Sequence, residues 1–482
     1  MESKKGESLI RAIFGYSLGS WFSAVLSFIV VPISSHLYSD ADLGKINFFI
    51  SVGSLCYSFL CLGLDQGYVR FYVNVEEEKE KKQLLTFDMI VVFLVLLIMT
   101  GLAALFWKPI GMWLFGEADP MLLAMLPCYL AGLLAIRFFS VLYRMRSKVF
   151  SYTVFTVLLS LCTKGVYLFS APIGRSYRTA IIFSGVVAVG LCLIILLVQR
   201  RELCLPRLKE NSTLYKKQML FSLPLIPSVL MSLLNNNIPQ FMLRSFGGFS
   251  YVAGYSVAIT VASALNVVQT GFNTFWTPYV FKNHDTNQHK IKQMHGYIVT
   301  LMPLLAVVIV LFQNVIFVVV NREYSYITQF LPFLILTPLC YTIGETTSVG
   351  IALKMKTVLN IVIYSACAAV NAVFCWILIP RIGVNGAAIA AGIGAITALI
   401  LKTHWGQRFY SSMESLIPMV SNLAMYLIIA LVNLLIQDVT KKYIVMTACV
   451  VVFILFPHNW KIFKESIGVL DKFLRREKNK RE

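Results

Sequence analysis

LGKINFFISVGSLCYSFLCLGLDQGYVRFY, residues Leu43–Tyr72, holds about twenty apolar or small residues, enough to cross a hydrocarbon layer about 30 Å thick. It opens with Lys45 and closes on Asp65, Gln66 and Arg70. A charge near the bilayer centre costs about 2.5–3.5 kcal/mol on insertion scales, so a plain anchor has no use for these groups. The stretch also has a counterpart 210 residues later, AGYSVAITVASALNVVQTGFNTFWTPYVFK (Ala253–Lys282), where Gly44 meets Gly254 and Phe71 meets Phe281. Two loop markers keep nearly the same offset. Arg144-Met145-Arg146-Ser147 meets Lys354-Met355-Lys356-Thr357, and Pro172-Ile173-Gly174 meets Pro380-Arg381-Ile382-Gly383. Loops do not share the small apolar alphabet of membrane helices, so the agreement argues for an internal duplication.

Composition sets the class. Of 482 residues 58% are hydrophobic and 13% charged, and the mean hydropathy is +0.74. Soluble proteins carry about 25% charged residues, so the chain reads as an all-α integral membrane protein. The net charge of +19 is strung between apolar spans rather than gathered on one face, which argues for topology signals and against nucleic acid. The ten cysteines show no CxxC and no Cys/His pair at ligand spacing, so no metal site is expected and they read as packing residues.

Apolar windows predict fourteen spans, near 14–35, 43–65, 84–106, 119–142, 150–171, 179–199, 219–242, 252–275, 296–319, 326–351, 358–379, 384–405, 416–436 and 442–457. Lysine and arginine are unevenly shared between the two sides. The side holding the amino terminus takes 31 of the 42, Lys402 among them, and the opposite loops take 8, which places both termini in the cytoplasm. An offset of six spans gives two six-helix lobes of the same orientation, a parallel repeat with a site between them near the midplane, plus two C-terminal helices. The expected divisions are 1–200 for the N-terminal lobe, 201–217 for a basic cytoplasmic linker, 218–410 for the C-terminal lobe, 411–460 for spans thirteen and fourteen, and 461–482 for a basic tail on the anionic inner leaflet. Pro32, Pro224, Pro227, Pro239 and Pro278 mark the first helices of each half as the places to bend.

Polar groups within the spans are the candidate site. Lys45, Arg70, Arg137, Lys164 and Arg244 are candidate cavity cations for an anionic substrate; each also has a plainer reading as an interfacial, snorkelling or internally paired base. Asn235, Asn236, Asn237 and Gln240 form an amide-rich group in span seven, and Asn266, Gln269 and Asn273 share one face of span eight. Such amides suit sugar hydroxyls or bonds to neighbouring helices. Glu345 and Asp65 are candidates for ion coupling, with pairing to a nearby base as the alternative; Arg70 is the near base considered for Asp65.

The stretches GLDQGYVRFY (Gly63–Tyr72), PLIPS (Pro224–Ser228), VAGYSVA (Val252–Ala258) and IGVNGAAIA (Ile382–Ala390) resemble those of bacterial polysaccharide flippases of the Wzx type, in the multidrug/oligosaccharidyl-lipid/polysaccharide exporter superfamily. That resemblance implies a MATE-like fold of two lobes around a cavity, alternating between inward- and outward-facing states in the bacterial cytoplasmic (inner) membrane. It implies an undecaprenyl-pyrophosphate-linked oligosaccharide as cargo, no cofactor, and a proton or sodium gradient as the energy source. A polysaccharide polymerase and chain-length proteins are the implied partners. The chain departs from the family where relatives often carry an Asp-Arg pair in span seven, for it reads Asn237-Ile238-Pro239-Gln240 there.

Two other readings stand beside this one. A multidrug or cation exporter of the same fold favours acidic cavity groups, whereas bases outnumber acids in these spans. A membrane-embedded glycan polymerase or acyltransferase needs a large external loop or a buried His/Asp/Arg set, and none of the six histidines falls at a span centre.

Overall fold

A computed structural model of the chain describes residues 22–23, 25–72, 75–320, 322–354, 356 and 358–464. The first part of the span predicted at 14–35 and the basic tail after 464 lie outside the described residues. All regular structure among the described residues is helical. Eight helices are long and apolar enough to cross a membrane, and three further spans arise if each of three broken helix pairs is counted as one. Each predicted span falls on a helix, a broken pair or, for the first, partly outside the description. Short helices and breaks, rather than missing apolar segments, hold the count below fourteen.

The helices of the first unit are α1 (Val25–Leu37), α2 (Asp40–Leu60), α3 (Leu64–Tyr72), α4 (Glu78–Leu105), α5 (Trp107–Phe115), α6 (Pro120–Met145), α7 (Val149–Lys164), α8 (Tyr177–Val198), α9 (Ser212–Ser222), α10 (Leu225–Gly247) and most of α11 (Phe249–Ala262). This unit runs from Met1 to Thr260 and the second from Val261 to Glu482. Helix starts are written into the sequence as caps. Ser39 accepts from Asp42 N at 3.2 Å before α2, Asp119 accepts from Met121 N at 2.9 Å before α6, and Ser176 accepts from Thr179 N at 3.3 Å before α8.

The core of the first unit is α6, whose Leu133–Ile136 run and Phe138 and Phe139 are wholly buried. It packs on α8 so closely that a Cβ at Gly132 would strike the Ala188 carbonyl; a glycine is what lets the two backbones meet. The outward faces of α4 and α8 leave Leu97, Leu105, Leu197 and Val198 more than two-thirds exposed, a surface stable only in lipid. The break between α2 and α3 comes from two consecutive left-handed residues, Leu62 at φ 49° and Gly63 at φ 66°.

The second unit contains α12 (Ala264–Asn283), α13 (Gln288–Leu311), α14 (Gln313–Val320), α15 (Leu331–Thr347), α16 (Val349–Leu353), α17 (Val358–Ile382), α18 (Val384–Phe409), α19 (Ile417–Leu435), α20 (Val439–Leu455) and α21 (Pro457–Lys464). Asn422 of α19 donates to Val299 O at 3.0 Å and exchanges two bonds with Asn459 of α21, at 3.0 and 2.7 Å, which fastens the C-terminal helices to α13. Element order repeats along the chain. α4, α6, α7 and α8 begin at 78, 120, 149 and 177, and α13, α15, α17 and α18 begin at 288, 331, 358 and 384. Packing repeats with it, since α4 lies on α6 and α6 on α8 just as α13 lies on α15 and α15 on α18.

Candidate functional site

The strongest polar cluster of the first unit is where the N-terminal part of α2 meets the junction of α10 and α11. Gly248, at φ 81°, ends α10 directly after Arg244's last turn and starts α11 at Phe249. A Cβ at Gly44 would overlap the Phe249 carbonyl, so α2 touches this corner through a glycine. The next residue, Lys45, holds its ammonium 3.8 Å from the Tyr177 ring centroid and 5.5 Å from that of Phe249. The Arg244 guanidinium sits 4.0 Å from the Phe249 ring and donates from Nη2 to Met112 O at 3.2 Å. Its Nε is buried without a partner.

Two of the acids at this corner, Glu117 and Asp119, are already committed. Glu117 accepts from Arg178 at 2.8 and 3.1 Å and from the Tyr177 hydroxyl, and Asp119 stands 3.6 Å from Arg178. Those bonds hold the Glu117 carboxyl below its ordinary range, with the Arg178 hydrogen bond as the main cause. Lys45 and Arg244 form no ion pair among the described residues; ring faces and one carbonyl hold them. A cation held by π faces keeps its attraction for an incoming anion, because no carboxylate must be displaced.

Below this corner lie an aromatic layer and an amide layer. Phe48 makes edge contacts with Trp113 at 4.9 Å, Phe241 at 5.7 Å and Phe249 at 6.1 Å. One turn further in, Ser51 of α2 donates to Gln240 Oε1, and Gln240 Nε2 donates to Ser256 Oγ of α11 at 3.4 Å. Trp113 also borders an apolar cavity of about 590 Å³ between α2, α4, α5 and α6, walled by residues such as Phe59, Met99, Ala103, Trp107 and Leu130.

At the C-terminal end of α2 the break at Leu62 and Gly63 places Asp65 in the first turn of α3, where a carboxylate is favoured by the helix dipole. Its partner is Arg137 of α6, at 2.5 Å from Nη2 and 3.1 Å from Nε. The pairing of Asp65 with Arg70 considered from sequence does not form. Five residues apart on one helix the two diverge, and Arg70 is exposed with no ion pair among the described residues. Lys164 closes α7 and donates to Ser23 O at 3.0 Å and Ser27 Oγ at 2.7 Å, so it is tied to the helix before α2. Asn235 is half-buried, Asn236 exposed and Gln240 buried.

In the second unit Asn266 is exposed, while Gln269 and Asn273 are half-buried, the Asn273 carbonyl oxygen lacking a partner. Glu345 accepts from Lys402 Nζ at 3.0 Å. Sequence reasoning placed Lys402 among the cytoplasmic loop cations, but its side chain is only 5% exposed, with the ammonium 4.5 Å from the Tyr341 ring and 5.5 Å from Tyr364. It lies inside the predicted span 384–405 but close to its end, where a base is ordinarily counted with the loop; α18 carries it on one continuous helix to Phe409. The one signal that could have found it is a lone acid, Glu345, needing a base. Gly344 leaves the space, since a Cβ there would press on Lys402 Cδ at 3.2 Å.

Residues 9–284 match the model of a family described as polysaccharide biosynthesis protein. No curated protein sequence matches the chain. Among solved structures, the lipid II flippase MurJ in an inward closed conformation superposes at TM-score 0.58 with 14% identity, over 94% of this chain and 99% of that one. A point mutant of the Vibrio cholerae MATE transporter VcmN matches at TM-score 0.49 and 15% identity over 84% and 97%.

Proposed function

The chain belongs to the polysaccharide biosynthesis protein family, and from that premise we propose that it is a flippase for a lipid-linked oligosaccharide rather than an enzyme. The cargo is an undecaprenyl-pyrophosphate-linked repeat unit, turned from the inner to the outer leaflet of a bacterial cytoplasmic membrane as lobes 1–200 and 218–410 alternate about the linker 201–217. Both termini face the cytoplasm.

The observation that carries this reading is the pair Lys45 and Arg244, two cations seated on aromatic faces beside acids that Arg178 already occupies. A diphosphate fits such a place, because charge-assisted bonds strengthen where water is scarce. The apolar cavity reached through Trp113 suits a prenyl chain next to its headgroup. The buried amide Gln240 supplies a polar neighbour for sugar hydroxyls. Glu345 and Asp65 each hold a base, Lys402 and Arg137, so coupling to a proton or sodium gradient through either carboxylate means exchanging that bond.

Deleting the gene and labelling lipid-linked sugars from one side of the membrane tests the reading. Retention of repeat units on the inner leaflet with loss of surface glycan supports it. Normal surface glycan with new sensitivity to cationic dyes turns the assignment to a drug exporter.

A further inference from the structure

α9, the helix that leads from the linker into α10, docks on α3 and α4 through aromatic contacts and a cluster of buried polar groups, several of them without partners. Asp88 of α4 is 0% exposed, and so are Gln218 and Ser222 of α9 and Tyr68 of α3. Gln218 Nε2 donates to Asp88 Oδ2 at 2.9 Å. The other oxygen of each of these two groups, Asp88 Oδ1 and Gln218 Oε1, is buried and has no donor. The hydroxyls of Tyr68 and Ser222 in the same joint are likewise unpartnered. Packing is tight enough that a Cβ at Gly67 would overlap Ser222 Oγ and press on Gln218 Cγ at 3.0 Å, and Phe87 stacks on Tyr215 at 4.2 Å.

No base balances a charge on Asp88. From α3 the facing titratable groups are Tyr68 and Asp65, and Asp65 is bonded to Arg137, the group α6 presents. From α9 it is Tyr215, while Lys216 and Lys217 on the same helix are exposed. Arg146 at the end of α6 is taken up by Glu78 and Glu202. An ionised carboxylate here has one hydrogen bond, and the side chain that donates it, Gln218, carries a second unpartnered acceptor. Two orphaned acceptors on one pair of groups are satisfied together by one added hydrogen.

We propose that Asp88 and Gln218 form a proton-binding site, in which a proton on Asp88 Oδ1 is donated to Gln218 Oε1 while Gln218 Nε2 donates back to Asp88 Oδ2. The result is a carboxylic acid–amide ring of two hydrogen bonds that latches α9 to α3 and α4. Releasing α9 opens Asp88 to water, where it gives up the proton, and redocking takes one back. Movement of the helix that enters α10 is thereby linked to one proton, whatever cargo the protein carries. An asparagine reproduces the ring, with its Nδ2 donating to Gln218 Oε1, and therefore locks the latch without a proton.

Infrared difference spectroscopy on the full chain in lipid nanodiscs, wild type minus Asp88→Asn, tests this at pH 7 in the absence and presence of sodium chloride. The expected result is a protonated-carboxyl carbonyl band that Asp88→Asn abolishes and Gln218→Leu shifts, the Gln218→Leu spectrum serving by itself if the first variant folds poorly. The distance between spin labels on α9 and α4 is expected to lengthen at alkaline pH in the wild type and to stay constant in Asp88→Asn. A difference spectrum with only ionised carboxylate bands overturns the proposal. So does a protonated band that sodium removes, which makes the joint a cation site instead. Neither readout involves transport, so failure here leaves the flippase reading untouched, and the reverse holds as well.

Discussion

Lys402 of α18 and Glu345 of α15 are joined at 3.0 Å in the interior of the second unit, and their side chains are 5% and 24% exposed. Breaking a buried pair from one side strands the other charge, at a cost of about 3 kcal/mol. Glu345→Gln or Lys402→Met is expected to lower the unfolding midpoint of the protein in nanodiscs, and the double variant to recover most of the loss. Equal loss in single and double variants would mean that the pair contributes nothing beyond packing.

The Lys45 and Arg244 corner makes the opposite demand. Lys45 and Arg244 are held by rings and a carbonyl, so Lys45→Ala and Arg244→Ala leave folding nearly intact. On the proposed flippase reading each loses a charge-assisted bond to phosphate worth about 1.5–3 kcal/mol, so glycan export is expected to fall roughly tenfold or more at unchanged membrane abundance. Normal export in both variants removes the corner from the substrate path.

Lys164 is tied down by the fold. Its two bonds to Ser23 and Ser27 tie α7 to the first helix, so Lys164→Met is expected to lower abundance and thermal stability by about 1–2 kcal/mol. Quantitative blotting alongside export separates the cases. Reduced export at full abundance would return Lys164 to the cavity.

A pH effect is expected at the linker. Arg146 Nη1 bonds Glu202 at 2.8 Å, and that bond is the main cause holding the Glu202 carboxyl below its ordinary range. A carboxyl with a depressed folded value stabilises in its ionised form. The contribution is therefore whole above the unfolded value of about 4.3 and is lost as pH falls through the folded one. Amide exchange across residues 199–203, corrected for its chemical pH dependence, should report loosening only at acid pH, and Glu202→Gln should flatten the profile.

The membrane class, the helical spans and the 210-residue repeat were legible because each rests on composition or order along the chain. Partners were harder. Asp65 finds Arg137 across 72 residues, and Lys402 finds Glu345 across 57. Nothing in local spacing encodes either choice, since both depend on which helix lies alongside. Lys164 was visible as an unusual base, but the serines that hold it carry no sequence signal. Gln240 was singled out as one amide among several, and burial alone separates it from exposed Asn236. The Asp88 joint stayed hidden because Gln218 and Ser222 fall around the start of the predicted span 219–242, where nothing in local spacing shows that α9 buries them against α3 and α4.

Gly44, Lys45, Phe48 and Ser51 occupy one arc of α2, and their partners Phe249, Phe241 and Gln240 come from neighbouring turns of α10 and α11. Turning α2 by one residue's angle, about 100°, would take all four out of register together. The seam therefore has no comfortable half-way setting. Its four contacts stand or fall together, as a detent does.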